Sequence, residues 1–159
     1  MTQTNGHMDK ERAGLSSEAL TKEGYKLTKL GWIPEDWEVS LLSKLAEVTS
    51  GGTPDRKNKG YWDGDIPWVT TSLIDFKEIR DAGEYITENG LKNSSAKVFP
   101  ENTILMALYG QGKTRGRVGV LKVKASTNQA CAAIIPIKEN VTTDYLFYHL
   151  VSDYLKIRN

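Results

Sequence analysis

Apolar and polar positions divide the chain into a polar start, a run of short strand-like segments and a helical end. Residues 1–24 carry little periodic apolar content and are expected to form a flexible polar leader, with one short helix around Ser17–Lys26. Leu41, Leu42, Leu45 and Val48 recur at helical spacing and predict an amphipathic helix within Val39–Val48, stopped by Ser50-Gly51-Gly52-Thr53-Pro54. Ile66, Trp68 and Val69 predict a buried strand entered through Pro67. Asp75–Gly90 has no clear period and is read as turns with a short strand. Asn89–Lys97 is read as a short helix stopped by Phe99-Pro100. Thr103–Leu108 reads as a core strand and Tyr109–Gly116 as a glycine-rich loop. Arg117–Lys124 alternates, predicting a half-exposed strand with Val118 and Val120 set apart from Leu121 and Val123. Ala130–Ile137 is a further apolar strand ending at Pro136. The clearest helix is Thr142–Arg158, with Thr142 or Thr143 as cap and Asp144 in the first turn. Its stripe is Leu146, Phe147, Leu150, Tyr154 and Leu155, and Lys156 and Arg158 lie at its C-terminal end.

Composition narrows the class. With 159 residues, 39% hydrophobic and 26% charged, the chain suits one globular domain with terminal excess. No stretch approaches the roughly 18 apolar residues of a membrane span. The first residues, MTQTNGHMDKERAG, hold no apolar core of the kind a secretory signal needs. A single cysteine, Cys131, excludes an internal disulfide; among Ala130, Ala132, Ala133 and Ile134 it reads as a reduced, buried small hydrophobe. A cytoplasmic location is the expectation. The net charge of +1 decides nothing about polyanions, but its distribution is uneven. Lys113, Arg115, Arg117, Lys122 and Lys124 form one basic segment and Arg56, Lys57 and Lys59 another. Acids gather at Asp75, Glu78, Asp81, Glu84 and Glu88. Two readings stay open for the basic segments: solvated lysines on a strand, or a local polyanion site.

Catalytic chemistry finds little support. Ala107–Thr114 (ALYGQGKT) resembles a relaxed phosphate loop, with alanine in place of the first glycine. A strand precedes it, but Gly116, Gly119 and the strand-like RVGVLKVK follow where a phosphate-binding helix has to begin. His7 and His149 have no partners at metal-ligand spacing. Cys131 lacks a visible activator, no G-x-S-x-G elbow exists, and no carboxylate pair sits in an apolar setting. A glycine motif for methyl transfer is missing too.

What remains is a binding surface carried by residues 53–62 (TPDRKNKGYW) and 109–117 (YGQGKTRGR). Arg56, Asn58, Gln111 and Arg115 are chemically suited to base edges, because arginine bonds guanine and amides bond adenine bidentately. Lys57, Lys59, Lys113 and Arg117 suit phosphates. Gly110, Gly112 and Gly116 allow close backbone approach. The full candidate DNA-contacting set adds Thr53, Tyr61, Thr70, Thr71, Tyr109, Thr114 and Asn128. The competing reading makes Tyr61, Trp62 and Trp68 core aromatics beneath a solvated loop.

These motifs follow an order that resembles a known family. Gly31, Ile33, Pro34, Asp36 and Trp37 are followed by a short helical run, then Ser50, Gly51, Thr53 and Pro54. YWDGDIPWV (61–69), Asn93-Ser94-Ser95-Ala96-Lys97, the strand and glycine loop at 103–119, and Thr127-Asn128-Gln129 before an apolar strand complete the pattern. From Tyr25 onward the chain resembles a target-recognition domain of the specificity subunit of type I restriction–modification enzymes. The resemblance implies an α+β fold: a single mixed, β-rich recognition domain over 25–141 with short helices, then a C-terminal helix, 142–159, as the truncated start of a helical spacer. It implies sequence-specific reading of one half of a bipartite duplex DNA target, without cutting or methylating it. The implied partners are modification (methyltransferase) subunits and, in the full complex, restriction subunits. S-adenosylmethionine, ATP and Mg are expected only in those partners, with no cofactor or metal bound by this chain. The alternative is an interaction fragment that docks modification subunits or another half-subunit without useful DNA reading. A third class, a nucleotide-binding enzyme built on Ala107–Thr114, predicts stabilisation by ATP or GTP.

Overall fold

A computed structural model describes residues 22–110, 112–137, 139 and 141–158. The chain divides into two compact units, Met1–Ser40 and Leu41–Asn159.

The first unit contains a hairpin of β1 (Tyr25–Thr28) and β2 (Gly31–Pro34), paired antiparallel with Leu27 opposite Trp32. Gly31 has φ 102, a left-handed conformation that glycine accepts without strain. The Thr28 hydroxyl fixes the turn by donating to the Gly31 carbonyl at 2.9 Å and accepting from the Leu30 amide at 3.1 Å. The helix expected over Ser17–Lys26 lies mostly outside the described residues; from residue 22 onward the chain makes a turn and enters β1 instead.

The second unit holds two sheets. Five strands run in the order β3-β11-β8-β9-β5: β3 Ala46–Ser50, β11 Cys131–Pro136, β8 Ile104–Ala107, β9 Val118–Leu121 and β5 Glu78–Ile79. All neighbours are antiparallel except β5 and β9. The other sheet runs β6 (Glu84–Ile86), β4 (Trp62–Val69), β10 (Ala125–Thr127), β7 (Val98–Phe99), with β10 parallel to β4. Among the described residues, four α-helices accompany them: α1 Leu42–Leu45, α2 Glu88–Lys92, α3 Thr143–Ser152 and α4 Tyr154–Arg158. Mixed sheets with short helices and a helical end make the fold α+β, as expected.

Side-chain alternation along the strands explains the layering. One face of the five-stranded sheet presents Ile104, Val118, Val120 and Ile134 to Leu146, Phe147 and Leu150 of α3. Its opposite face presents Leu105, Leu121, Cys131 and Ala133 to Val69, Phe99 and Ala125 of the four-stranded sheet. The far side of that sheet packs Trp68 and Ile86 with Ala96, Trp62, Ile66 and Leu91. Burying one of these Leu or Ile side chains contributes roughly 2 kcal/mol.

Several expected elements change. The helix within Val39–Val48 shrinks to Leu42–Leu45, because Ala46–Ser50 instead pairs with β11, placing Val48 opposite Ile134. Val48 is 50% exposed on this edge strand, so its apolar spacing did not report a helix face. The strand read as half-exposed is shorter and buried at all of Val118–Leu121, since one face meets α3 and the other meets the second sheet. The segment read as a helix at Asn89–Lys97 is helical over Glu88–Lys92 and ends at Asn93, where residues 94–97 turn toward β7. The C-terminal helix breaks at Asp153. Leu155, assigned to its buried stripe, is 66% exposed on α4. Thr142 caps α3 as expected, its side chain accepting from the Tyr145 amide at 3.2 Å.

Candidate nucleic-acid interface

The loop 53–61 grows out of a backbone crossing that only glycine permits. A Cβ on Gly51 would lie 1.9 Å from the Thr127 carbonyl oxygen, and one on Gly52 would lie 2.2 Å from Ser95 Oγ. Gly51-Gly52 therefore runs against β10 and against the segment before β7. The Gly52 amide donates to the Thr127 carbonyl at 2.9 Å, and Trp68 Nε1 donates to the Gly52 carbonyl at 3.0 Å. Beyond this point the loop folds on itself. Asp55 accepts from the Lys57 amide through its side chain and from Trp62 Nε1 through its carbonyl. Asn58 Oδ1 accepts from the Gly60 amide at 3.0 Å and caps the turn Lys59–Tyr61. The half-buried Tyr61 accepts from the Thr87 amide, seating the loop on the start of α2.

Arg56 is the most constrained candidate. Its guanidinium sits 3.9 Å from the Trp62 ring centre and 4.8 Å from that of Trp68, and both of its terminal nitrogens donate to the Glu84 carboxylate. The hydrogen bond to Glu84 raises the guanidinium above its ordinary range, and the same bond holds Glu84 below the usual carboxylate range. A bidentate fork already closed on Glu84 is not open to a guanine edge. Trp68, 2% exposed, is a core aromatic, and Trp62 is half-buried beside it in edge-to-face contact at 5.1 Å.

The second loop follows β8. Gly110, Gly112 and Gly116 have φ of 151, 62 and 83. Its base is tied by the Gly116 amide to the Ala107 carbonyl and by the Arg117 amide to the Thr114 carbonyl. Arg117 is drawn inward: it pairs with Asp75 at 2.7 Å, and its Nε donates to the Lys113 carbonyl, which also accepts from the Tyr154 hydroxyl. Half-buried Thr114 packs beneath Gly110. Tyr109 is 68% exposed, and Gln111 lies outside the described residues. After Lys113-Thr114 the chain turns directly into β9, so the loop lacks the helix of a phosphate-binding loop.

A polar row joins the loops. Thr53 Oγ1 donates to Gln129 Oε1 at 2.6 Å, and the Leu108 amide donates to the Ala130 carbonyl at 2.8 Å. Thr70 and Thr71 leave the end of β4 beside it, where Val69 accepts from the Asn128 amide and the Thr127 hydroxyl. The Thr70 hydroxyl bonds that of Ser72. Asn128 Oδ1 accepts from the Ala130 amide at 3.1 Å and from the Cys131 thiol at 3.3 Å, closing the turn. Thus Thr53, Thr70, Asn128 and the start of the 109–117 loop meet at one edge. Lys57, Lys59, Lys113 and Arg115 are exposed with no ion-pair partner among the described residues. Glu84 and Gln129 were not among the candidate contacts read from sequence; the Thr127-Asn128-Gln129 motif before an apolar strand was the available signal for the second. No group of three potential metal ligands exists among the described residues. His7 lies outside them, and His149 is exposed, stacked on Tyr145. No helix among them is long and apolar enough to cross a membrane.

Comparison with known proteins gives one consistent result. Residues 34–159 match the family described as type I restriction modification DNA specificity domain. The chain is 37% identical over 139 residues to the type I restriction enzyme MjaIX specificity subunit of Methanocaldococcus jannaschii, covering 83% of this chain and 31% of that protein. It is 30% identical over 118 residues to the EcoR124I/EcoR124II specificity subunit of Escherichia coli, covering 72% and 28%. Among solved structures, the HsdS subunit from Thermoanaerobacter tengcongensis superposes with a TM-score of 0.65 at 15% identity, covering 86% of this chain and 32% of that one. This likeness concerns the fold. The chain spans about a third of the length of these relatives.

Proposed function

Because the chain belongs to the type I restriction modification DNA specificity domain family, we propose that it reads one half of a bipartite duplex DNA target as part of a specificity subunit. The observation that carries this reading is the joining of the two basic loops across one edge through Thr53, Gln129, Ala130 and Leu108. Cations on both sides of that row neutralise phosphates, while polar side chains at the row meet base edges. Lys57, Lys59, Lys113 and Arg115 are the cations with free heads. Arg56 and Arg117 act one step back, Arg56 by seating loop 53–61 on the tryptophans and Arg117 by closing the base of its loop. Tyr109 and Thr71 complete the candidate surface among the described residues.

In this reading the chain does no chemistry on DNA. Modification subunits holding S-adenosylmethionine methylate the target, and restriction subunits using ATP and Mg act in the full complex, all in the cytoplasm. The relatives' printed identity as specificity subunits supports this division of labour.

The test is selection of bound duplexes from a random pool at near-physiological salt, with and without modification subunits. Enrichment of one short contiguous motif is expected in at least one arm. A folded protein that enriches nothing in either arm overturns the proposal and favours an interaction module.

A further inference from the structure

We propose that Gln129 reads an adenine edge in the target and that Thr53 is the positioning residue that orients its amide; this rests on the DNA-reading function proposed above. Gln129 is exposed, yet both its ends are fixed. Its backbone lies in a turn between two buried strands, closed by the Cys131 amide donating to the Asn128 carbonyl and by Asn128 Oδ1 accepting from Ala130 and Cys131. Its side chain ends on Thr53 Oγ1, 2.6 Å from Oε1. Thr53 in turn is anchored by Gly52, whose amide and carbonyl are both bonded into the four-stranded sheet, to Thr127 and Trp68.

The Thr53 hydroxyl is placed as the donor, with Gln129 Oε1 turned toward it and Nε2 turned away. One Oε1 lone pair is used, leaving a second lone pair and both Nε2 protons to the solvent. A fixed pairing of one acceptor beside one donor is the complement of adenine N6–H and N7 in the major groove. A phosphate contact needs only a donor and gains nothing from fixing oxygen against nitrogen. Of the two arginines first suited to base reading, Arg56 is engaged with Glu84, while Arg115 is exposed with no ion-pair partner or hydrogen bond among the described residues to fix its orientation. Gln129 is the amide that the fold holds ready, on a rigid element between the basic loops.

The experiment is the duplex selection repeated with variants, in whichever arm the unaltered protein enriches a motif. Gln129→Ala is expected to flatten one adenine position by on the order of tenfold to a hundredfold in discrimination, leaving other positions and the unfolding midpoint unchanged. Gln129→Glu, which only accepts, is expected to shift that position toward cytosine, whose N4 donates. Thr53→Val is expected to weaken the same preference and Thr53→Ser to restore it, a rescue that mere packing would not produce. Equal loss at every position in Gln129→Ala, or unchanged preference, overturns the assignment while leaving the reading function standing. An unaltered protein that enriches nothing overturns both.

Discussion

The guanidinium of Arg56 lies over Trp62, 3.9 Å from the ring centre, with its fork closed on Glu84. The contact joins loop 53–61 to β4 and β6 at once, so a residue with the chemistry of a base reader serves as a clamp. Arg56→Ala is expected to lower stability by roughly 1 kcal/mol, the sum of a modest exposed cation–π contact and an exposed ion pair. Arg56→Lys keeps charge but loses the two-pronged fork on Glu84, and is expected to fall between. Urea unfolding measures both. In duplex selection, base preference is expected to survive; loss of preference at a single guanine in Arg56→Ala would mean the fork opens to DNA.

The same pair gives a pH dependence. Glu84 titrates below its ordinary value of 4.5 because Arg56 bonds its charged form. A depressed carboxylate contributes stability that is present above that value and is lost as pH falls through the lower folded value. Glu84→Gln is therefore expected to unfold less steeply than the unaltered protein on acidification below about pH 4.5. Parallel curves in that window would remove Glu84 as a contributor.

Lys113 and Arg115 occupy the same loop with free heads and are expected to separate by role. Lys113→Ala should weaken binding to all duplexes alike and reduce the slope of log affinity against log salt by about 1. Arg115→Ala should cost about 1–3 kcal/mol on the selected target and relax one base position. Titrations at several salt concentrations, on target and scrambled duplexes, distinguish the two outcomes.

At Gly52 an added methyl meets Ser95 and Ala96 backbone atoms at 2.5 and 2.6 Å, which cannot rotate away. Gly52→Ala is expected to destabilise by about 1–3 kcal/mol, the usual range for overpacking. Gly112→Ala has open space around it but a φ of 62, so it carries only the left-handed backbone penalty, about 1 kcal/mol. Equal midpoints in thermal melts of these two variants would contradict the crowding at Gly52.

Burial pushes the Cys131 thiol up to about 11. The native state holds this proton more tightly than the unfolded chain, so its contribution to stability is full below the ordinary value of 9.0 and fades as pH rises toward 11. Alkylation by iodoacetamide at pH 8 is expected to be negligible until denaturant unfolds the domain. Rapid labelling of folded protein would place the thiol at the surface.

Legibility from sequence followed how locally each element is determined. Strand β11 and helix α3 announced themselves through continuous apolar runs and a threonine cap. Strand β10 did not, because Ala125, Ser126 and Thr127 are too small and polar to read as a core strand, yet all are buried by pairing with β4 and β7. Leu41–Val48 misled because edge pairing with a distant strand overrode local helical spacing. The candidate surface was legible as two loops, since glycine, lysine and arginine mark such segments. Their joining through Thr53 and Gln129, 76 positions apart, was not. The closing of Arg56 on Glu84 and of Arg117 on Asp75, 28 and 42 positions apart, is equally non-local.

Lys57, Lys59, Lys113 and Arg115 are exposed with no ion-pair partner among the described residues, while the glycine crossing at Gly51-Gly52 and the buried apolar clusters hold the framework. Stability and selectivity are therefore separable variables in this molecule. Substitutions at those tips cost little in folding, so the same framework can be shuffled into a repertoire of readers, each with its own address and a common foundation.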